Sequence, residues 1–145
     1  IFGKVDRPIP TMMNYQTHVD KRSMFNTPPV MSIYSVNRTL VWLKENGGVS
    51  AMADKNERKA KKLYDEIERN PVFTSPIAEK DKSLMNVPFV FAKGGDEPDF
   101  LAYCDTLGLK TLKGHRSVGG FRASIYNAMP EAGIDALIKA MRDYN

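Results

Sequence analysis

The sequence has 145 residues, 42% hydrophobic and 26% charged, with 21 Lys and Arg against 17 Asp and Glu for a net charge of +4. That length suits one domain with a modest apolar core. A single cysteine, Cys104, excludes an internal disulfide and a cysteine-based zinc site, and no apolar run approaches the roughly 20 residues of a membrane span. A soluble, cytoplasmic protein with no membrane partner and no metal is therefore expected, and its mild positive charge suits an acidic small molecule as well as a nucleic acid. The chain opens on IFGKVDRPIP without a methionine and reads as part of something longer.

Residues 1–29 hold four prolines, Pro8, Pro10, Pro28 and Pro29, none inside a periodic run, and read as an extended connector. From Pro29 to Asn46, Ile33, Val36, Leu40 and Leu43 follow helical spacing, and Gly47 with Gly48 supplies a stop. Val49 to Arg69 continues as a second helix lying on the surface, with Met52, Ala60, Leu63, Tyr64 and Ile67 on one face and Lys and Glu elsewhere. Met85, Val87, Phe89 and Phe91 alternate as a strand, which Pro88 confines to a sheet edge. Pro98 to Leu107 reads as a helix with Phe100, Leu101, Cys104 and Leu107 inward, ended by Gly108. Leu109 to Leu112 and Phe121 to Tyr126 read as short strands, and Ile134, Leu137, Ile138 and Met141 mark a closing helix behind Pro130. This order implies an α/β (α+β sandwich) fold, a small mixed sheet covered by helices.

The stretch KGHRSVGGFRASIYNAM, Lys113 to Met129, concentrates three basic side chains, a histidine and three glycines. Strand alternation puts Phe121, Ala123 and Ile125 on one face and Arg122, Ser124 and Tyr126 on the other, so Arg122 points away from its apolar neighbours. His115 and Arg116 precede a flexible turn, Ser117 to Gly120, where missing side chains permit close approach of a ligand. Together they suit a two-pronged anion site; an exposed basic hairpin with a satisfied histidine is the plainer alternative. In SMFNTPPV, Ser23 to Val30, Asn26 and Thr27 stand at the mouth of a helix, where such residues cap orphan amides and where phosphate groups are also held.

These stretches, with WLKENGGV, MNVPF and the closing amphipathic helix, resemble the phosphoserine aminotransferase family in order and separation over nearly the whole chain. The match corresponds to the C-terminal part of that enzyme, somewhat under half its usual length. The resemblance implies the small domain (residues 30–145) of a fold-type I transferase using pyridoxal phosphate (PLP), with residues 1–29 ending the large PLP-binding domain. It implies transfer of an amino group between glutamate and 3-phosphohydroxypyruvate in serine biosynthesis, or the related phosphohydroxythreonine reaction, in a homodimer. Asn26 and Thr27 match the pair that reaches the cofactor phosphate across the dimer, Arg122 the arginine that grips the substrate α-carboxylate, and His115 and Arg116 the pair near the distal phosphate. The family's Schiff-base lysine has no counterpart here, and Lys4 and Lys113 occupy other family positions. Two other readings stand beside this one. GGFRASIY is faintly like the glycine-aromatic strand of single-strand RNA binders, and an anion pocket also suits a non-catalytic ligand-sensing domain.

Overall fold

A computed structural model describes residues 7–116 and 118–144, so Lys4 and Ser117 lie outside the described residues. The chain divides into two compact units, Ile1–Glu45 and Asn46–Asn145. The division falls after the first long helix.

In the first unit the connector is not extended throughout. A 3-10 turn, Thr11–Met13, leads into a short helix, α1, Tyr15–Asp20. Asn14 caps α1, its Oδ1 accepting from the Gln16 amide at 3.0 Å, and Gln16 Nε2 donates to Asp20 Oδ1 at 2.7 Å one turn on. Arg22 and Ser23, at φ of +50° and +63°, then turn the chain out of helical conformation. Helix α2, Val30–Glu45, follows the two prolines, and the Ile33 amide donates to the Pro29 carbonyl at 3.1 Å. The helical spacing read from Ile33, Val36 and Leu40 is borne out, but no residue of α2 is buried.

The second unit is built on α3, Gly48–Arg69, whose face of Met52, Ala60, Leu63, Tyr64 and Ile67 is buried as the spacing predicts. Its polar residues are not all outside: Asn56, Lys59 and Glu66 are buried too. Gly47, at φ +88°, begins the helix in left-handed conformation, and a Cβ there would stand 2.7 Å from Ala51 Cβ.

The three described strands, β1 (Phe73–Thr74), β2 (Asn86–Phe91) and β3 (Phe121–Ser124), form a sheet in the order β1-β2-β3. Both pairings are antiparallel, so the sheet is not mixed. Nor is β2 an edge strand. Pro88 is tolerated in the centre because its pairing asks for no donor. Pro88 stands opposite Arg122, whose amide turns away to the Leu112 carbonyl at 2.7 Å, which makes this a non-hydrogen-bonded pair. Toward the other side β1 has already ended, its last partner being Thr74 opposite Val90. Leu109 to Leu112 forms no strand: Gly108 and Thr111, at φ of +78° and +60°, break the extended run, leaving an isolated bridge from Lys113 to Phe121.

Helix α4, Glu97–Thr106, is capped by Asp96 Oδ1 accepting from the Asp99 amide at 3.0 Å. It buries Phe100 and Cys104, while Leu107, expected inward, is largely exposed because the helix ends before it. Burial pushes the Cys104 thiol up to about 11, so it is an unreactive core residue. Helix α5, Glu131–Asp143, covers α3 with Ile134, Leu137, Ile138 and Met141. Between helices and sheet lies an aromatic cluster in which Phe100 stands 4.9 Å from Phe73, 4.8 Å from Phe121 and 4.9 Å from Tyr144, ring centre to ring centre.

The Tyr144 hydroxyl donates to Asp99 Oδ2 at 2.8 Å. That bond, with burial and the Asp99 charge, pushes the phenol up to about 12 from 10.0. A group raised on folding stabilises fully below its unfolded value and loses that contribution as pH rises through its folded one. Ultraviolet titration of the folded protein is expected to show a tyrosine ionising near pH 12. Tyr144→Phe removes it, and Asp99→Asn moves it down toward the ordinary range.

Candidate functional site

The burial of β3 alternates as its sequence predicts, with Phe121 and Ala123 inside and Arg122 and Ser124 half-buried on the opposite face. Phe121 is 1% exposed and embedded in the aromatic cluster, so it offers no ring for a base to stack on. Among the described residues, the Arg122 Nε is buried without a hydrogen-bond partner. A guanidinium is expected to satisfy its donors, so an unanswered one marks a place where an acceptor belongs. Arg122 also lines a cavity of about 240 Å³ beside Leu109, Leu112, Ile125 and Ile134, whose walls are mainly apolar.

His115 and Arg116 are exposed at the start of the loop that leads into β3. The loop is closed at its base by the Gly114 amide donating to the Gly120 carbonyl at 2.8 Å. Within it the His115 carbonyl accepts from the Val118 and Gly119 amides at 2.9 and 2.8 Å. Glycine is required at both ends: a Cβ on Gly114 would lie 2.0 Å from the Gly119 oxygen, and one on Gly120 would lie 2.8 Å from the Phe89 oxygen. The Gly120 amide further donates to Glu97 Oε1 at 3.2 Å, which fixes the loop to the first turn of α4. One short hairpin thus carries His115, Arg116 and Arg122.

Asn26 and Thr27 belong to the other unit, exposed ahead of α2. Asn26 Nδ2 donates to Met12 Sδ at 3.3 Å. A thioether is a weak acceptor, so this amide retains its capacity for an anionic oxygen. Two short polar side chains before a 16-residue helix suit a phosphate group.

Lys59 was not singled out by the sequence. In NERKAKK it resembles its solvated neighbours, yet it stands on one stripe with Met52, Asn56 and Leu63, the four at i, i+4, i+7 (Lys59) and i+11 along α3. Its ammonium donates to the carbonyls of Ile125, Tyr126 and Met129 at 3.1, 2.8 and 3.2 Å. Desolvation by burial lowers its pKa, the Lys55 charge adds to that, and Glu131 opposes it. A buried lysine with a lowered pKa is the usual profile of one that carries PLP. Here, however, all three N–H donors are committed to backbone oxygens.

The model for the class-V aminotransferases matches residues 7–137, and the chain belongs to that family. Within it, the relatives are phosphoserine aminotransferases. Those of Parabacteroides distasonis and Bacillus cereus are 53% and 46% identical over 98% and 99% of this chain. The chain spans about two-fifths of those relatives, 41% and 40% of their lengths. A PLP-bound phosphoserine aminotransferase from Trichomonas vaginalis superposes with a TM-score of 0.78 at 42% identity, covering 95% of this chain and 40% of that one. The enzyme from Bacillus circulans subsp. alkalophilus gives 0.81 at 40%, covering 93% and 38%. The helix-covered sheet expected from the sequence is the fold of the part of these structures that the chain covers.

The loop geometry carries a direct test. Because its Cβ would collide with backbone, Gly114→Ala is expected to force the hairpin base apart and destabilise the protein by about 1–3 kcal/mol, measured by denaturant unfolding. Gly114 is not in the left-handed region, so the cost expected there is steric rather than one of backbone strain.

Proposed function

We propose that this chain is the C-terminal part of a cytoplasmic, PLP-dependent phosphoserine aminotransferase acting as a homodimer. Residues 30–145 form its small domain and residues 1–29 the connector from the large one. The reaction exchanges an amino group between glutamate and 3-phosphohydroxypyruvate in serine biosynthesis, and phosphohydroxythreonine in pyridoxal phosphate synthesis is a second substrate of the same site. The observation that carries this reading is Arg122, a half-buried guanidinium with an unanswered Nε on the strand face opposite the core. Relatives at 46–53% identity across the whole chain support it, and they favour an enzyme over a ligand-sensing domain.

When bound, PLP supplies the electron sink on which amino-group transfer depends. This chain's own residues bind and orient. Arg122 presents a planar fork that makes two parallel charge-assisted bonds to an α-carboxylate, a group common to both substrates. His115 and Arg116, on the glycine-closed loop, present donors and positive charge to the more highly charged distal phosphate. Asn26 and Thr27 hold the cofactor phosphate at the site of a neighbouring subunit.

A carboxylate deprived of its arginine in a partly dry site loses about 2–5 kcal/mol, or roughly 30-fold to a few thousandfold in transition-state binding. In the complete enzyme, Arg122→Ala is expected to lower kcat/KM within that range. Arg122→Lys recovers part of it, restoring charge without the fork, and both variants keep the absorbance of bound PLP. Near wild-type kinetics in Arg122→Ala, or loss of PLP, would show that the carboxylate is held elsewhere. Replacing His115 and Arg116 with alanine is expected to reduce turnover of phosphoserine more than that of a substrate without a distal anion. Equal losses would remove the pair from phosphate recognition.

A further inference from the structure

The segment after β3 is held in an unusual way. The ladder between β2 and β3 ends with the Ile125 amide donating to the Met85 carbonyl at 2.9 Å, and the chain then leaves the sheet. It makes a turn in which the Met129 amide donates to the Tyr126 carbonyl at 2.9 Å. Lys59 reaches both ends of this turn, bonding to the same Tyr126 oxygen and to that of Met129, and also to Ile125 at the strand's exit. One helical turn earlier on α3, Asn56 Nδ2 donates to Asn127 Oδ1 at 2.8 Å in the middle of the same turn.

The strand that needs this support is short. β3 has four residues, and at Arg122 it forms no bond to β2, because Pro88 lies opposite in a non-hydrogen-bonded pair. On its other side the Arg122 amide bonds to Leu112, in a segment that Thr111 prevents from forming a regular strand. Three residues beyond Arg122, the backbone is fastened to a helix whose own face is packed into the core. A helix is a rigid mount, and precise placement of a binding group depends on the elements that hold its backbone.

We propose that Lys59 is a positioning residue: its buried ammonium, bonded to the Ile125, Tyr126 and Met129 carbonyls, anchors the turn after β3 and so fixes the strand from which Arg122 reaches a substrate carboxylate. The inference rests on the reading of Arg122 given above. It assigns Lys59 no contact with substrate or cofactor. An ammonium is suited to the task because its three donors radiate from one point and can converge three carbonyls that no side-chain amide could serve together. Lys59→Met keeps the length and apolar stem but leaves those carbonyls without their donor.

The test uses the complete, PLP-loaded enzyme with glutamate as the varied substrate. Lys59→Met is expected to raise the glutamate KM about tenfold, with a smaller change in kcat and unaltered PLP absorbance, since displacement of a binding group by a fraction of an ångström acts on substrate placement. A purely structural role would lower the active fraction, and hence kcat, at unchanged KM. Asn127→Ala, which removes the exposed end of the second tie, is expected to raise the same KM about two- to threefold. In the double variant Lys59→Met/Arg122→Ala, the Lys59 effect is expected to vanish, because a group acting through Arg122 has nothing left to act on. Fully additive effects, or an unchanged KM in Lys59→Met while Arg122→Ala raises it, would overturn the inference and leave the role of Arg122 intact. If Lys59→Met does not fold, Asn127→Ala decides, an unchanged KM overturning the inference. An unchanged KM in Arg122→Ala would instead overturn the reading of the carboxylate site.

Discussion

A cation with no solvent contact must have its charge answered inside the protein, and on α3 the answer comes from backbone. Three carbonyl dipoles converge on the Lys59 ammonium, offsetting part of the desolvation that lowers its pKa. Farther along the same helix Glu66, also buried, is answered in the opposite sense. Its Oε2 accepts from Arg142 Nε and Nη2 at 2.9 and 2.7 Å and from Arg69 Nε at 2.8 Å. Asn70, just past the helix end, donates to the Met141 carbonyl at 3.2 Å and accepts from the Val72 amide at 2.9 Å. These polar ties reach the approach to β1, the exit of β3, and α5. The apolar face of α3 supplies burial that is indifferent to direction; the buried charges supply direction, because each is tolerable in one arrangement of partners.

The parts of this arrangement that depend on neighbours in sequence were legible from sequence. The spacing of Met52, Ala60, Leu63 and Ile67 gave α3, that of Ile134, Leu137 and Met141 gave α5, and the alternation from Phe121 to Ile125 fixed which way Arg122 points. What depended on distant partners was not. Lys59 sits in a run of charged residues, and its place on the buried stripe of α3 marks its burial but not the three carbonyls that answer it 66 to 70 positions away. Pro88 signals an edge only if its missing donor would have been needed, and that depends on where β1 stops and on which way the Arg122 amide turns. β1 itself, two residues long, is below what periodicity can register. Thr111, in left-handed conformation without being glycine or asparagine, ended a strand that composition favoured.

The side chains proposed here for anion recognition on the β3 hairpin sit on short, tightly determined backbone. The hairpin of His115, Arg116 and Arg122 is closed by a glycine pair that excludes any side chain, tied to α4 through Glu97, and backed by phenylalanines of the aromatic cluster. Such a mount suits the proposed carboxylate site, since preorganised donors need no rearrangement to meet an anion.

The long reach of the α3 ties also has a consequence for synthesis on the ribosome. Lys59 meets its carbonyl partners at sequence separations of 66 to 70 residues, and Glu66, paired with Arg69 on its own helix, meets Arg142 at 76. At roughly 5–20 residues per second, α3 leaves the peptidyl-transferase centre about 3 to 15 seconds before the distant segments that complete its polar ties and cover its apolar stripe. During that interval a nascent helix carries an exposed hydrophobic face interrupted by one lysine and one glutamate. The two residues that are hardest to bury in the finished protein are then the two charges on the face that waits longest for its cover.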